Sequence, residues 1–218
     1  MVSRETFREL PPWLQPAEAG LNRYVEILAG PGLERGLMGP REVPRLWDRH
    51  VLNCAVVADP DLGLIPAGAL VADVGSGAGL PGLVWALTRP DISMVLIEPL
   101  LRRTTFLTES VVALGLTDRV TVLRARAEKV ATNPEWAGVD VVTARAVAPM
   151  ERLLGWTIPL LKPQGRLVAM KGASAQSELE SAQGVLQEYG ITSAEVVTCG
   201  AGVVEQVTTV VVARRGGG

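Results

Sequence analysis

One stretch constrains this chain more than any other: Asp73-Val-Gly-Ser-Gly-Ala-Gly79, continued by Leu80-Pro-Gly82. An apolar run, Leu70 to Ala72, leads into the acid, and a helical pattern from Leu83 to Leu87 follows the last glycine. A buried strand, a tight turn and a helix are predicted there. Glycine allows the sharp turn and lets backbone approach a ligand closely. The carboxyl end of such a strand is where open α/β sheets bind nucleotides. Asp73 at the turn suits a cationic or hydroxylated ligand better than a phosphate.

The flanking sequence divides in two. Residues 1–66 carry helical spacing broken by proline and glycine, with Leu21, Tyr24, Val25 and Leu28 on one face and Leu46, Trp47, Val51 and Leu52 on another. They read as an N-terminal helical extension. Residues 67–215 alternate strand and helix and read as one α/β domain; residues 216–218, all glycine, read as a frayed tail. Candidate strands are Leu70–Val74, Ser93–Ile97, Val120–Arg124, Val139–Thr143, Gly165–Met170, Ala194–Cys199 and Gln206–Ala213. Candidate helices are Gly82–Leu87, Leu101–Leu114, a short turn near Ala127–Val130, Met150–Leu161 and Ala175–Glu188. The alternation implies a mainly parallel sheet with helices on both faces. The last two strands follow each other with no helix between, so a terminal antiparallel hairpin is expected.

Composition excludes some classes. The formal net charge of −2 predicts no global attraction to nucleic acid or anionic membrane. A local basic patch is still available, since 21 residues are Lys or Arg and Arg, the better fork for phosphate and bases, dominates. Cys54 and Cys199 lack metal-like or redox-like spacing, so no metal site is expected and both read as buried thiols. Met1-Val-Ser-Arg-Glu5 has no apolar signal region and no apolar run reaches about 18 residues, so a cytoplasmic location is expected.

Two nucleotide ligands compete for the turn. Gly77, Gly79 and Gly82 satisfy G-x-G-x-x-G, a weak dinucleotide signal. D-x-G-x-G-x-G starting at Asp73 instead resembles the first motif of class I S-adenosylmethionine-dependent methyltransferases. Glu98 ends the second strand about 25 residues on, a usual distance for a carboxylate on a ribose diol. Both cofactors contain a ribose; the terminal hairpin favours the methyltransferase. The fold class expected is a Rossmann-like α/β methyltransferase with a seven-stranded, mostly parallel sheet preceded by helices.

Further pieces carry a more specific resemblance: Arg49-His50-Val51-Leu52, Gly79-Leu80-Pro81-Gly82, Ile97-Glu98-Pro99 with Arg102 and Arg103, Arg126-Ala127-Glu128, Arg145-Ala146-Val147-Ala148, and Lys171-Gly172. With these the chain resembles the RsmG/GidB family of bacterial 16S rRNA methyltransferases over nearly its whole length. The resemblance implies S-adenosylmethionine as cofactor and 16S rRNA, within the small ribosomal subunit or its assembly intermediate, as partner. It implies methylation at N7 of a guanine in the 530 loop. Cofactor contacts carried over fall on Gly75, Leu80, Ala127, Glu128 and Arg145, beside Asp73, Gly77, Gly79 and Glu98 from the motif. The family's usual Asn-Leu-Thr stretch is replaced by Gly36-Leu37-Met38, and its serine and lysine after the second strand by Pro99 and Arg102.

The chemistry is compatible with a chain poor in bases. Guanine N7 has a lone pair and no proton, so transfer needs alignment rather than a base. Arg145, where the fourth strand ends, is the candidate for holding the cofactor carboxylate or the target base. His50 has two readings, a catalytic one and a helix histidine docking the N-terminal helices on the sheet. Arg102, Arg103 and Lys171 are candidate substrate contacts; Arg102 and Arg103 read equally as a solvated face. Arg41, Arg45 and Arg49 recur at i, i+4 and i+8, which predicts a stripe on one helix face that suits RNA or solvent. The tryptophans are core candidates, with Trp13 or Trp136 the alternatives for base stacking. A small-molecule methyltransferase, a nicotinamide dehydrogenase and a non-enzymatic RNA-binding module stand as competing functions.

Overall fold

The computed structural model describes residues 10–217; the N-terminal stretch read for an export signal and the last glycine lie outside them. Seven strands form one sheet in the order β3-β2-β1-β4-β5-β7-β6. They are β1 (Leu70–Val74), β2 (Ser93–Ile97), β3 (Val120–Leu123), β4 (Val139–Arg145), β5 (Leu161–Lys171), β6 (Ile191–Cys199) and β7 (Thr208–Arg215). β1 to β5 pair in parallel, and β7 runs antiparallel between β5 and β6. The terminal hairpin therefore inserts its second strand into the sheet rather than adding both strands outside it.

The strands are apolar on both faces, as expected of a sheet covered by helices on each side. Successive residues feed different cores. Val71, Leu96, Val141, Val168 and Val210 join one cluster; Ala72, Ile97, Val142, Leu167 and Val211 join the other. The first core is closed by the N-terminal residues together with α3 (Gly82–Thr88) and α4 (Leu101–Ala113). The second is closed by α5 (Ala127–Ala131), α6 (Met150–Thr157), α7 (Ala175–Ser181) and α8 (Gln183–Glu188). Residues 14–65 thus complete one face of the sheet. α1 (Glu18–Ile27) buries Leu21, Tyr24 and Val25, and α2 (Asn53–Ala55) is tied to α3 where Trp85 Nε1–H donates to the Cys54 carbonyl at 2.9 Å.

Several expected boundaries shift. The segment read as one helix over 150–161 ends as a tighter turn at Ile158–Leu160, after which β5 begins at Leu161. β5 starts early because Leu161 pairs with Val139 before a bulge, and Gln164 (φ +64°) turns the chain back to pairing at Arg166. The expected helix over 175–188 breaks into α7 and α8 at Ala182. The arginine stripe does not form on one α-helix. Arg41 sits in a turn, Arg45 ends a tight turn at Val43–Arg45, and Arg49 lies in the wide-turned Leu46–Leu52. Gly216 is not frayed: its N–H donates to the Gly190 carbonyl at 2.9 Å, and its own carbonyl accepts from Gln164 N–H at 3.3 Å.

Candidate active site

The strand order reverses direction between β1 and β4, the place where open α/β sheets bind ligands. A cleft of about 480 Å³ lies there, walled by the ends of β1, β2 and β4, the chain after β3, and Trp156 of α6.

The glycine turn reaches the cleft at Gly75. Gly75, Gly77 and Gly79 all have positive φ, at +71°, +59° and +99°. Gly75 N–H donates to the Ile97 carbonyl at 2.9 Å, which sews the turn to the end of β2. Gly82 allows close packing: a Cβ there would lie 2.4 Å from Leu96 Cδ2 and 2.7 Å from Asp73 Oδ2. Asp73 is wholly buried, and its Oδ2 accepts from Gly82 N–H at 3.0 Å. Its Oδ1 has no hydrogen-bond partner among the described residues. Burial raises its carboxyl to about 7, against which the Gly82 hydrogen bond pulls.

Glu98 closes β2 with 1% of its surface exposed. Its Oε2 accepts from Gly77 N–H at 3.0 Å and its Oε1 from Leu100 N–H at 3.1 Å, while Arg103 stands 3.6 Å from Oε2. The carboxylate thus holds the turn and still has lone pairs for a ligand's hydroxyls. Beyond it, Ala125, Arg126, Ala127 and Glu128 line the cleft where β3 passes into α5.

The opposite wall is the end of β4. Ala146 lies there with φ +51°, a left-handed conformation that a residue with a Cβ rarely adopts and that concentrates at functional sites. Arg145 lines the cleft and also reaches into the N-terminal layer. Its Nη2 lies 2.6 Å from His50 Nδ1, and its Nη1 donates to Cys54 Sγ at 3.3 Å. His50 Nε2 lies 2.6 Å from Glu42 Oε2. Burial lowers the His50 pKa, with the Glu42 hydrogen bond opposing and Arg145 reinforcing. The same hydrogen bond lowers the Glu42 carboxyl.

The cleft gathers Gly75, Glu98, Arg103, Ala127, Glu128 and Arg145 from the sequence-predicted residues. Gly77 touches it only through its bond to Glu98, and Asp73, Gly79 and Leu80 lie outside its lining. Arg102 lines a neighbouring cleft with Arg35 and Glu109. Lys171 is not in the cleft. Its side chain is 8% exposed and its ammonium donates to the Ala148 carbonyl at 2.6 Å and to Glu178 at 2.7 Å, so it clamps α7 to the loop after β4. Trp136 donates its indole N–H to the Leu160 carbonyl at 3.1 Å and packs on the second core. Sequence reasoning missed Leu100, Trp156 and Glu42. Leu100 stands two residues after Glu98, and that adjacency was a usable signal. Glu42 had none, because eight residues separate it from His50 with no regular helix between.

A sheet in this order, with β7 antiparallel between β5 and β6, has the fold of class I methyltransferases. An S-adenosylmethionine-dependent O-methyltransferase from Thermotoga maritima superposes with a TM-score of 0.54 at 16% identity, over 75% of this chain and 64% of its own. A protein from Methanococcus maripaludis assigned as an S-adenosylmethionine-dependent methyltransferase superposes with a TM-score of 0.59 at 14% identity, over 98% of both chains.

The family model for GidB, rRNA small subunit methyltransferase G, matches residues 17–208, and the chain belongs to that family. Proteins named ribosomal RNA small subunit methyltransferase G are similar throughout. The one from Streptomyces avermitilis is 52% identical over 93% of this chain and 85% of its own length. The one from Salinispora arenicola is 56% identical over 88% and 79% respectively.

Family and fold make S-adenosylmethionine the cofactor. The cleft fits it. Its volume lies in the range of small-molecule sites, the Glu98 carboxylate is buried at its wall and could accept from a diol, and apolar Ile97, Ala125 and Ala127 line it. Replacing Glu98 by Ala strips the Gly77 and Leu100 N–H groups of a charged acceptor, and would strip a donor bound in the cleft of one as well. Hydrogen bonds to charged groups are worth about 1.5–3 kcal/mol, so the Kd for S-adenosylhomocysteine is expected to rise about 100-fold by calorimetry. Unchanged affinity would remove Glu98 from the site.

Proposed function

We propose that this chain transfers a methyl group from S-adenosylmethionine to N7 of a guanine in the 530 loop of 16S rRNA, acting in the cytoplasm on the small ribosomal subunit or its precursor. The donor supplies a methyl carbon activated by its positive sulfur. The chain's residues would then hold and align. Glu98 would bind the ribose hydroxyls, the turn at Gly75 would let backbone approach, and Ala127 with Glu128 would flank the base. Arg145 would hold either the donor's carboxylate or guanine O6, leaving N7 free as nucleophile.

One observation favours an unprotonated nucleophile. Both ring nitrogens of the single histidine are engaged, one by Glu42 and the other by Arg145. A base committed in this way is poorly placed to take a substrate proton, and N7 attack asks for none. Family membership carries the rRNA substrate class.

The test is small subunits from a strain lacking this protein, incubated with the purified chain and labelled donor. One methyl per particle is expected, mapped to a guanine of the 530 loop. An RNA fragment with 7-deazaguanine at that position should accept none. Methylation at another atom, or of the 7-deaza substrate, would refute the reading.

A further inference from the structure

Glu42, His50, Cys54 and Arg145 form a polar chain that crosses from the N-terminal layer to the end of β4. Arg145 stands 95 residues from His50 in sequence, yet their side chains meet at 2.6 Å. We infer that Glu42 and His50 are positioning residues for Arg145: the N-terminal layer orients the guanidinium that β4 carries to the rim of the cleft. This rests on the reading above, in which Arg145 acts in the cleft.

The direction of each hydrogen bond follows from chemistry. A guanidinium has donors only. His50 Nδ1, opposite Arg145, must therefore be the unprotonated acceptor. Its proton then sits on Nε2 and is donated to the Glu42 carboxylate, 2.6 Å away. Glu42 thereby selects the tautomer that can receive Arg145. One Nη binds His50 and the other Cys54 Sγ, so the guanidinium is gripped at two points. Its remaining N–H donors are left for the cleft that Arg145 lines. A long side chain with many rotamers is thus set in one orientation before ligand arrives, and pre-orientation of this kind governs transfer by alignment.

The arrangement is also sensitive to protonation. The charged groups facing His50 are Glu42, Arg49 and Arg145. A second ring proton would set N–H against N–H and one cation beside another. Arg145 would lose its His50 contact, and acid conditions are expected to lower activity through that loss.

The only histidine in the chain makes the first measurement unambiguous. Imidazole nitrogen NMR at pH 7.5 is expected to find Nδ1 unprotonated and Nε2 protonated, with the titration midpoint rising in Arg145→Ala. The opposite tautomer, an imidazolium at that pH, or a midpoint indifferent to Arg145→Ala would overturn the inference. The second measurement compares Glu42→Gln, His50→Asn, His50→Phe and Arg145→Ala by kcat, KM and S-adenosylhomocysteine affinity. Arg145→Ala is expected to lower kcat/KM about 100-fold, to a rate still measurable, with the fold intact. Glu42→Gln should impair the same parameter by about tenfold. It should add nothing in the Arg145→Ala background, where coupled residues lose additivity. His50→Asn, whose Oδ1 can replace Nδ1 as acceptor, should retain more than His50→Phe. Additive losses, or equal losses in the two His50 variants, would overturn the positioning role. An Arg145→Ala enzyme with full turnover and affinity would instead sink the site reading itself. An impaired Arg145→Ala beside unimpaired Glu42 and His50 variants would sink only the relay.

Discussion

Gly79→Ala is expected to lower the thermal midpoint by about 10 °C, a loss of about 3 kcal/mol for a chain of this size. Two costs add. At φ +99° any L side chain is strained, by roughly 1–2 kcal/mol. The new Cβ would also stand 2.4 Å from Leu83 Cδ1, 2.8 Å from Leu83 Cγ and 3.0 Å from the Tyr24 hydroxyl. Leu83 and Tyr24 are both fully buried, so neither can swing into solvent, and overpacking a filled core costs about 1–3 kcal/mol. Tyr24 would in addition be pushed from the Ala78 carbonyl, to which it donates at 2.7 Å. Gly77→Ala is the control. It shares the positive φ, at +59°, but a Cβ there would meet nothing nearer than the Gly75 carbonyl oxygen at 3.8 Å. About 1 kcal/mol is expected there. Scanning calorimetry of the two variants decides the matter, and equal midpoints would mean that backbone conformation alone, not packing, demands Gly79.

Asp73→Asn should flatten a pH dependence rather than shift stability uniformly. The folded carboxyl is raised to about 7, mainly by burial, against an ordinary value of 3.8. Below pH 3.8 both folded and unfolded chains keep the proton, and Asp73 contributes no pH dependence. Between that point and about pH 7 the unfolded chain releases its proton first. The folded state then binds more protons, so stability falls as pH rises. Above about pH 7 the loss is complete, at about 4 kcal/mol. Urea unfolding of ligand-free protein should therefore show the stability of Asp73→Asn gaining on that of the native chain from pH 4 to pH 8. Parallel curves over that interval would mean that Asp73 ionises in the folded protein as readily as in water.

Much of this protein was legible in its residue order, because the information was local. Strands read as short apolar runs, and the three glycines marked a turn whose positive φ angles only glycine adopts freely. Glu98 could be placed at the cleft because it directly follows the end of β2. The helix over 175–188 read as continuous because its period is helical throughout; the backbone departs from helix at Ala182, with φ −85° and ψ 2°. The first residues of β5 were unreadable because a bulge, stabilised by pairing with Val139, carries them into the strand. Lys171 stood at the right rim by sequence, yet the Ala148 carbonyl and Glu178 claim its ammonium.

Residue spacing alone sufficed for the α/β alternation, the glycine turn and the acid that ends β2, since each is written within a few consecutive positions. Tertiary structure alone revealed that Glu42 addresses His50, that His50 addresses Arg145, and that β7 slips between β5 and β6. These contacts join segments up to 95 residues apart. No local propensity encodes them; they exist only once two cores have closed on the sheet and brought the N-terminal layer against the end of β4.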